Sequence, residues 1–313
     1  MRAFCDALVT GGAGLIGSHL VDSLLADGKT VAVVDDFSTG SKENLKDHPN
    51  LKVITADVRD PDACWKAALR YGEVWHLACP ASPVRYQEDP IKTLTTAVMG
   101  TLNALALARK MEVTLLHAST SEVYGDPACH PQREDYWGNV NPVGTRACYD
   151  EGKRAAEALC ADTARLGSSV RVARIFNTYG PRMSPDDGRV VSNFVTQALR
   201  GKPLTVYGDG SQTRSLCFVD DTVRGLRRLM ASAVTGPVNV GNASEVTVLQ
   251  LARTVIEVAK SKSRIIHQPL PSDDPRRRRP DLTRARSTLG WEAEVTLRVG
   301  LERTVAYFRS LND

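Results

Sequence analysis

Thr10-Gly11-Gly12-Ala13-Gly14-Leu15-Ile16-Gly17-Ser18 decides the fold. It follows the apolar run Ala7-Leu8-Val9 and opens an amphipathic stretch over 17–28. Gly12, Gly14 and Gly17 satisfy G-x-G-x-x-G, and Gly11 adds a further glycine to the turn. Without Cβ atoms the backbone can turn tightly and approach a pyrophosphate. A helix N-terminus then offers it N–H groups and a positive dipole end. The strand–turn–helix setting is what gives such a glycine pattern meaning. Asp35 closes the next apolar run, Val31-Ala32-Val33-Val34. A carboxylate there accepts hydrogen bonds from ribose hydroxyls and repels a 2′-phosphate, which favours NAD over NADP. No Arg or Lys follows directly in Asp36-Phe37-Ser38-Thr39-Gly40.

Outward from this turn, strands are expected at 51–54, 74–77, 114–116 and 170–175, and helices at 60–71, 90–110 and 146–166. The βαβ alternation predicts an α/β fold, a doubly wound parallel sheet (Rossmann-like) with helices on both faces. Beyond about residue 178 Gly and Pro become frequent and the elements shorten. Helices are expected there at 190–200, 220–232, 247–260 and 297–309, with strands at 204–206 and 215–219. The chain therefore reads as an NAD-binding domain over 1–178 and a smaller C-terminal substrate-binding subdomain over 179–313, with 213–245 returning to the main sheet.

At 313 residues, with 42% hydrophobic and 24% charged residues, the chain has the make-up of an ordinary globular protein. A net charge of +4 does not argue for nucleic acid or a membrane surface, and suits an anionic small molecule equally well. The run Arg276–Arg279 lacks interleaved aromatics, so a solvated cluster is expected rather than a nucleic-acid site. The seven scattered cysteines include no C-x-x-C pair. They argue against a metal site or disulfide framework and for a reducing, cytoplasmic setting. An apolar run beginning at Phe4 leaves no expectation of a signal peptide, and no uninterrupted apolar run reaches the roughly 18 residues of a membrane span.

Two further features carry chemistry. Tyr149 and Lys153 are spaced i, i+4, so phenol and ammonium share one helix face. A nearby cation, with NAD⁺ itself, lowers a phenol pKa and makes Tyr149 a base for a sugar hydroxyl. Upstream, Thr120 ends an expected parallel strand, where open α/β sheets bind ligands, and can donate to the same substrate oxygen.

Glycine turn, strand-end hydroxyl and Y-x-x-x-K together resemble the extended short-chain dehydrogenase/reductase family. Longer runs are similar to its UDP-glucuronate decarboxylase (UDP-xylose synthase) branch: His76–Pro83, Ser119–Pro127, Tyr136–Pro142, Cys148–Arg154, Ala173–Arg182, Asp187–Phe194 and Gln212–Ser215. Related 4,6-dehydratases carry Asp-Glu after the catalytic Thr, whereas here Ser121 precedes Glu122. One carboxyl group suits a substrate that already bears a C6 carboxylate.

The resemblance implies that Tyr149, aided by Thr120 and Lys153, removes the C4 hydroxyl proton of UDP-glucuronate while NAD accepts the hydride. The resulting β-keto acid then loses CO₂. It gives Arg214 the substrate carboxylate, and Ser121 and Glu122 a part in decarboxylation or C5 reprotonation. It places Gly11, Gly14, Leu15, Ile16, Gly17, Asp35, Asp36, Phe37, Thr39 and Gly40 around NAD. Asp57 and Val58 edge the adenine, and Leu77, Cys79, Thr96, Ala118 and Thr178 line the nicotinamide side with Tyr149 and Lys153. Asn177, Arg182, Arg189, Val190, Tyr207, Gln212 and Arg278 hold the nucleotide diphosphate. It also implies a homodimer through helices 90–110 and 146–166.

One departure stands out: Thr95 and Ala97 replace the Lys and Asn usual in this family. A thymidine-linked substrate, a 4-epimerase, a 4,6-dehydratase and a non-catalytic NAD-binding protein remain as alternatives.

Overall fold

The computed structural model describes residues 2–66, 68–269 and 278–311. The first half contains β1 (Arg2–Thr10), α1 (Leu15–Ala26), β2 (Val31–Asp35), β3 (Leu51–Thr55) and β4 (Ala68–His76). It continues with α2 (Pro83–Glu88), α3 (Pro90–Thr95), α4 (Thr101–Met111), β5 (Thr114–Thr120), α5 (Ala147–Arg165) and β6 (Val170–Ile175). The second half contains β7 (Thr178–Tyr179), α6 (Val190–Leu199), β8 (Leu204–Tyr207), β9 (Thr213–Ser215), β10 (Cys217–Phe218) and α7 (Val219–Met230). It ends with β11 (Pro237–Val240), β12 (Glu245–Thr247), α8 (Val248–Ala259), β13 (Ile265–Gln268), α9 (Thr283–Leu289) and α10 (Leu297–Ser310).

Seven strands form one sheet in the order β11-β6-β5-β4-β1-β2-β3, and every pairing in it is parallel. The order reverses between β1 and β4, so a crevice opens at their carboxyl ends, next to Gly11. Both faces of the sheet are covered, which explains the unbroken apolar runs. Ala7, Val9, Val31 and Val33 pack with Leu20 and Leu24 of α1 and Leu226 and Leu229 of α7. Leu8, Ala32, Val34 and Val74 point the other way and pack with Leu105 and Ala108 of α4 and Cys160 of α5. Successive strand side chains alternate between faces, so one run serves two cores.

Strand β11 returns to the main sheet beside β6, and α7 lies over it. The rest of the second half forms small sheets (β10–β7, β12–β9, β13–β8) and the packed helices α6, α8 and α10. Phe194, Leu251, Val305 and Phe308 of this part belong to the same apolar cluster as the α1 face of the sheet.

Three sequence expectations are corrected. The helix expected over 60–71 is a short 3₁₀ turn, Ala63–Lys66, followed by β4, because pairing with β1 overrides the helix propensity of this Ala-rich stretch. The strand expected over 215–219 is split into β9 and β10, which join different partners. Helices α3 and α4 are joined through a π-helical turn, Thr96–Gly100, into one run. That run, Pro90–Met111, has by length and composition what a membrane crossing requires, although no single apolar stretch showed it, and half of the qualifying window is buried in the molecule.

Candidate active site

A cavity of about 950 Å³ runs from the glycine turn, past the carboxyl ends of β5 and β6, to the second half of the chain. The turn is built for close approach. Gly11 has φ +71°, and a Cβ there would meet the Ala78 backbone at 2.7 Å. A Cβ on Gly17 would lie 2.1 Å from the Gly11 carbonyl oxygen. Gly14 caps α1 in extended geometry and faces the cavity with Leu15 and Ile16. Asp35 braces the turn: one carboxylate oxygen accepts from Ala13 N–H and the other from Phe37 N–H, both at 2.9 Å. Burial raises its pKa, and these two bonds act against that rise. A dinucleotide pyrophosphate fits this cradle, which side chains would fill.

The proton-transfer centre forms where β5 ends above α5. Thr120 Oγ1 accepts the Glu122 N–H at 3.2 Å, and the Thr120 side chain is hydrogen-bonded to the Tyr149 phenol. Lys153 Nζ donates to Ala118 O at 2.7 Å and lies 6.0 Å from the centre of the Tyr149 ring. Tyr86 stacks on Tyr149 with ring centres 5.1 Å apart and planes nearly parallel. Burial pushes the Tyr149 phenol above its ordinary range, with Cys79, Glu122 and Asp150 adding to the rise and the Thr120 bond opposing it.

Glu122 is enclosed by cations. One of its oxygens pairs with Arg278 and the other with Arg146. Burial raises the Glu122 pKa, but Arg278, Arg146 and Arg214 outweigh it, so the group stays below its usual range as a carboxylate. Arg278 is 4% exposed and also donates to Gly125 O at 2.8 Å. The structure thus sets it against Glu122, while Arg279 is half-buried and Arg276 and Arg277 lie outside the described residues.

Most of the expected residues line this one cavity. On the cofactor side these are Gly11, Gly14, Leu15, Ile16, Gly17, Thr39, Leu77, Cys79, Ala118, Tyr149, Lys153 and Thr178. Thr120, Ser121 and Glu122 follow, then Asn177, Arg182, Arg189, Val190, Tyr207, Gln212, Arg214 and Arg278. Several of these are already engaged: Arg182 with Asp22 at 2.5 Å, Arg189 with Asp187, Gln212 Nε2 with Tyr207 O at 2.7 Å, and Arg214 with Thr213 O at 2.8 Å.

Others lie outside the cavity. Asp36 pairs with Lys92 at 2.7 Å and Asp57 with Arg59 at 2.6 Å, while Val58 and Thr96 are buried. Phe37 has φ +58° and lies under Lys42, and Gly40 packs against Ala13. Thr95 accepts from Arg59 at 3.3 Å, so a cation still stands near the position of the missing Lys. Ala97 faces Gly152 so closely that a Cβ on Gly152 would meet its methyl at 3.0 Å, which lets α5 approach the π-turn.

Sequence reasoning missed Arg146, Tyr86 and the second acid, Asp150. Arg146 precedes Tyr149 by less than one helical turn, which was the available signal for it. Tyr86 carried none, because its partner is distant in the chain. Glu122 is not the lone acid expected: Asp150 Oδ2 lies 3.8 Å from Arg146 Nε, just behind the cavity wall.

This sheet, glycine cradle and Thr–Tyr–Lys centre define a nucleotide-binding oxidoreductase scaffold. The sequence matches the NAD dependent epimerase/dehydratase family over residues 7–241, and the chain belongs to that family. It is similar to UDP-glucuronic acid decarboxylase 2 of Arabidopsis thaliana, with 56% identity over 306 residues, 96% of this chain and 68% of the relative. UDP-glucuronic acid decarboxylase 1 of Danio rerio is 53% identical over 305 residues, 96% of this chain and 72% of the relative. Among solved structures, UDP-glucose 4-epimerase of Thermotoga maritima with UDP-glucose superposes with a TM-score of 0.91 at 32% identity, covering 98% of this chain and 100% of that one. The dTDP-glucose 4,6-dehydratase of Streptomyces venezuelae, with NAD and TYD bound, gives 0.87 at 29% identity, covering 99% and 97%.

Proposed function

We propose that this chain is an NAD-dependent UDP-glucuronate decarboxylase that forms UDP-xylose. The observation that carries the reading is the meeting, in one cavity, of the glycine cradle, the Thr120–Tyr149–Lys153 centre and an ionised Glu122 held among arginines. The decarboxylase relatives supply the substrate.

Bound at the cradle, NAD would supply a reversible acceptor that takes the C4 hydride and returns it to C4 after CO₂ has left, when Tyr149 gives its proton back to the C4 oxygen and UDP-xylose results. Tyr149 takes the C4 hydroxyl proton, and Thr120 donates to the same oxygen. Once C4 is a ketone, the C6 carboxylate is β to a carbonyl. Its C–C electrons pass into an enolate as CO₂ leaves, and Tyr149 and Thr120 stabilise the charge on that oxygen. C5 then needs a proton. Glu122 is ionised and stores none, so it and the Ser121 hydroxyl serve to order the donor. Tyr149 and the wall around it are buried, which keeps bulk water from the enolate.

Incubation with UDP-glucuronate and NAD should release CO₂ and leave a UDP-pentose. A protein that binds NAD but yields no CO₂ refutes the reading.

We further propose a homodimer through α3–α4 and α5. Ile91, Met99 and Leu102 are exposed apolar residues along the first of these runs, as an interface there requires. Light scattering that gives a monomer mass rejects it. Cytoplasmic location, and no role for membrane or nucleic acid, complete the proposal.

A further inference from the structure

Glu122 and Arg278 form an ion pair in the cavity wall, yet they come from distant parts of the chain and neither lies on a long element. Glu122 sits in the 3₁₀ turn Ser121–Tyr124, and Arg278 in the irregular stretch ahead of α9. The Arg278 guanidinium is held by Glu122 and by Gly125 O at 2.8 Å, and its Nε has no partner among the described residues. Where the guanidinium sits therefore depends on the backbone that carries it.

That backbone is held by two amide side chains, Gln132 and Asn239, both fully buried and both outside the cavity lining. Gln132 engages both backbone groups of Arg279. Its N–H donates to Arg279 O at 2.9 Å, and its Oε1 accepts from Arg279 N–H at 2.8 Å. Gln132 O accepts from Asp281 N–H at 2.8 Å, and Gln132 Nε2 donates to Cys129 O at 2.8 Å. The two segments thus form a short parallel bridge with Gln132 beside Pro280. Pro280 has no N–H to give, so its two neighbours carry the bonds.

Asn239, on β11, joins this stretch to the turn that carries Glu122. Its Nδ2 donates to Gln132 O at 2.9 Å and to Asp281 O at 3.0 Å. Its Oδ1 accepts from the Tyr124 hydroxyl at 2.7 Å. The direction of that bond is set from further back. Arg174 can only donate, and it does so to the Tyr124 oxygen at 3.1 Å, while Glu157 holds two of its other nitrogens at 2.9 and 2.7 Å. Tyr124 then gives its proton to Asn239, so the amide oxygen faces Tyr124 and both amide protons face the two carbonyls. A buried network with every member paired fixes one geometry. Tyr124 is two residues from Glu122, and Asp281 is three from Arg278. One amide therefore spans both halves of the ion pair.

We propose that Asn239, with Gln132, is a positioning residue that sets the Arg278 guanidinium against the Glu122 carboxylate. This role rests on the decarboxylase reading and falls to residues outside the cavity, one of them on the strand that returns to the main sheet. Without the amide, the stretch and the turn lose their common anchor, and the pair loses its register.

A double-mutant cycle on NAD-loaded protein tests the role. Release of labelled CO₂ gives kcat/KM for UDP-glucuronate in the native protein, Asn239→Ala, Arg278→Met and the double variant. Asn239→Ala is expected to lower kcat/KM by about tenfold or more in the native background. Beside Arg278→Met it should lower it by less than about twofold, because its effect runs through Arg278. NAD affinity, set at the glycine turn, should stay within about twofold throughout. Tyr124→Phe removes the oxygen on which Arg174 and Asn239 meet and keeps the ring. It supplies the same comparison if Asn239→Ala does not fold, with a smaller loss that again disappears beside Arg278→Met. A loss of equal size in both backgrounds marks a general weakening of the fold and overturns the proposal, as does no loss in either. A native protein that releases no CO₂ defeats the decarboxylase reading and this role with it, whereas additive losses in an active enzyme leave that reading standing.

Discussion

Glu122→Gln tests the centre of the site because it keeps the shape of the side chain and removes only its charge. In the native protein that charge faces Arg278, Arg146 and Arg214, and Arg278 is nearly inaccessible to water. Removing one partner of a buried ion pair costs about 3–5 kcal/mol, because the other charge is left uncompensated. Unfolding entropy of roughly 2.1 cal/mol/K per residue over 313 residues is about 0.66 kcal/mol/K, so Tm should fall by about 5–8 °C at pH 7. The pH dependence has a definite sign. The folded pKa of Glu122 lies below its ordinary value of 4.5, so its contribution is full above about that pH and is lost as pH falls through the folded value. The gap in Tm between native and variant should therefore narrow in acid. Turnover should drop by about a hundredfold or more, while NAD affinity, set at the glycine turn, stays within about twofold. Differential scanning calorimetry at two pH values, a CO₂ assay and NAD titration give the four readings. A variant that melts and turns over like the native protein refutes the reasoning.

Gly17→Ala should abolish detectable NAD binding by calorimetry and destabilise the fold by about 1–3 kcal/mol, since its Cβ would meet the Gly11 carbonyl oxygen at 2.1 Å. Native affinity in that variant contradicts the cradle. Asp35→Ala leaves the Ala13 and Phe37 N–H groups without their acceptor and removes the repulsion of a 2′-phosphate. Competition binding should show the preference for NAD over NADP reduced by about tenfold or more, and an unchanged ratio rejects the role of Asp35. Asp150→Asn should gain stability relative to the native protein as pH rises. With its pKa raised from 3.8 to about 7, the native Asp150 binds its proton more tightly folded than unfolded, so native stability falls between about pH 4 and pH 7, and the neutral amide escapes that loss. Melting curves with a pH-independent difference between the two proteins contradict this.

The fold was legible where local pattern and tertiary demand agree. Val31–Asp35 is buried along its whole length, so five residues in a row announce a central strand with no need of a partner's identity. The stretch 60–71 was not legible. Its alanines and lysine favour a helix, and only pairing with β1, from Arg2↔Ala68 to Thr10↔His76, makes its end a strand. The same division holds at the site. Tyr149 and Lys153 meet because one helix repeats every 3.6 residues, and Thr120 and Glu122 are neighbours at one strand end. Contacts made across the fold carry no such spacing. Tyr86 reaches Tyr149 only because α2 crosses α5, and Arg278 reaches Glu122 from the far end of the chain. Asp150 stood in view inside the motif, four residues after Arg146, but its importance comes from burial, which has no sequence signature of its own.

These placements bear on how one scaffold can favour loss of CO₂ over other outcomes at the same carbon. The Thr–Tyr–Lys centre makes a 4-ketone and stabilises its enolate, and that chemistry alone does not choose what leaves C5 or C6. The choice falls to the charge beside it. An acid able to donate would protonate a C6 hydroxyl and drive elimination, whereas Glu122 is kept ionised by its arginines and has no proton to give. A carboxylate substituent, by contrast, needs no proton in order to leave, because it departs as neutral CO₂ once C4 is a ketone. The arginines that keep Glu122 ionised thus favour one leaving group over another, and Ser121 in place of a second acid at this wall is consistent with that effect.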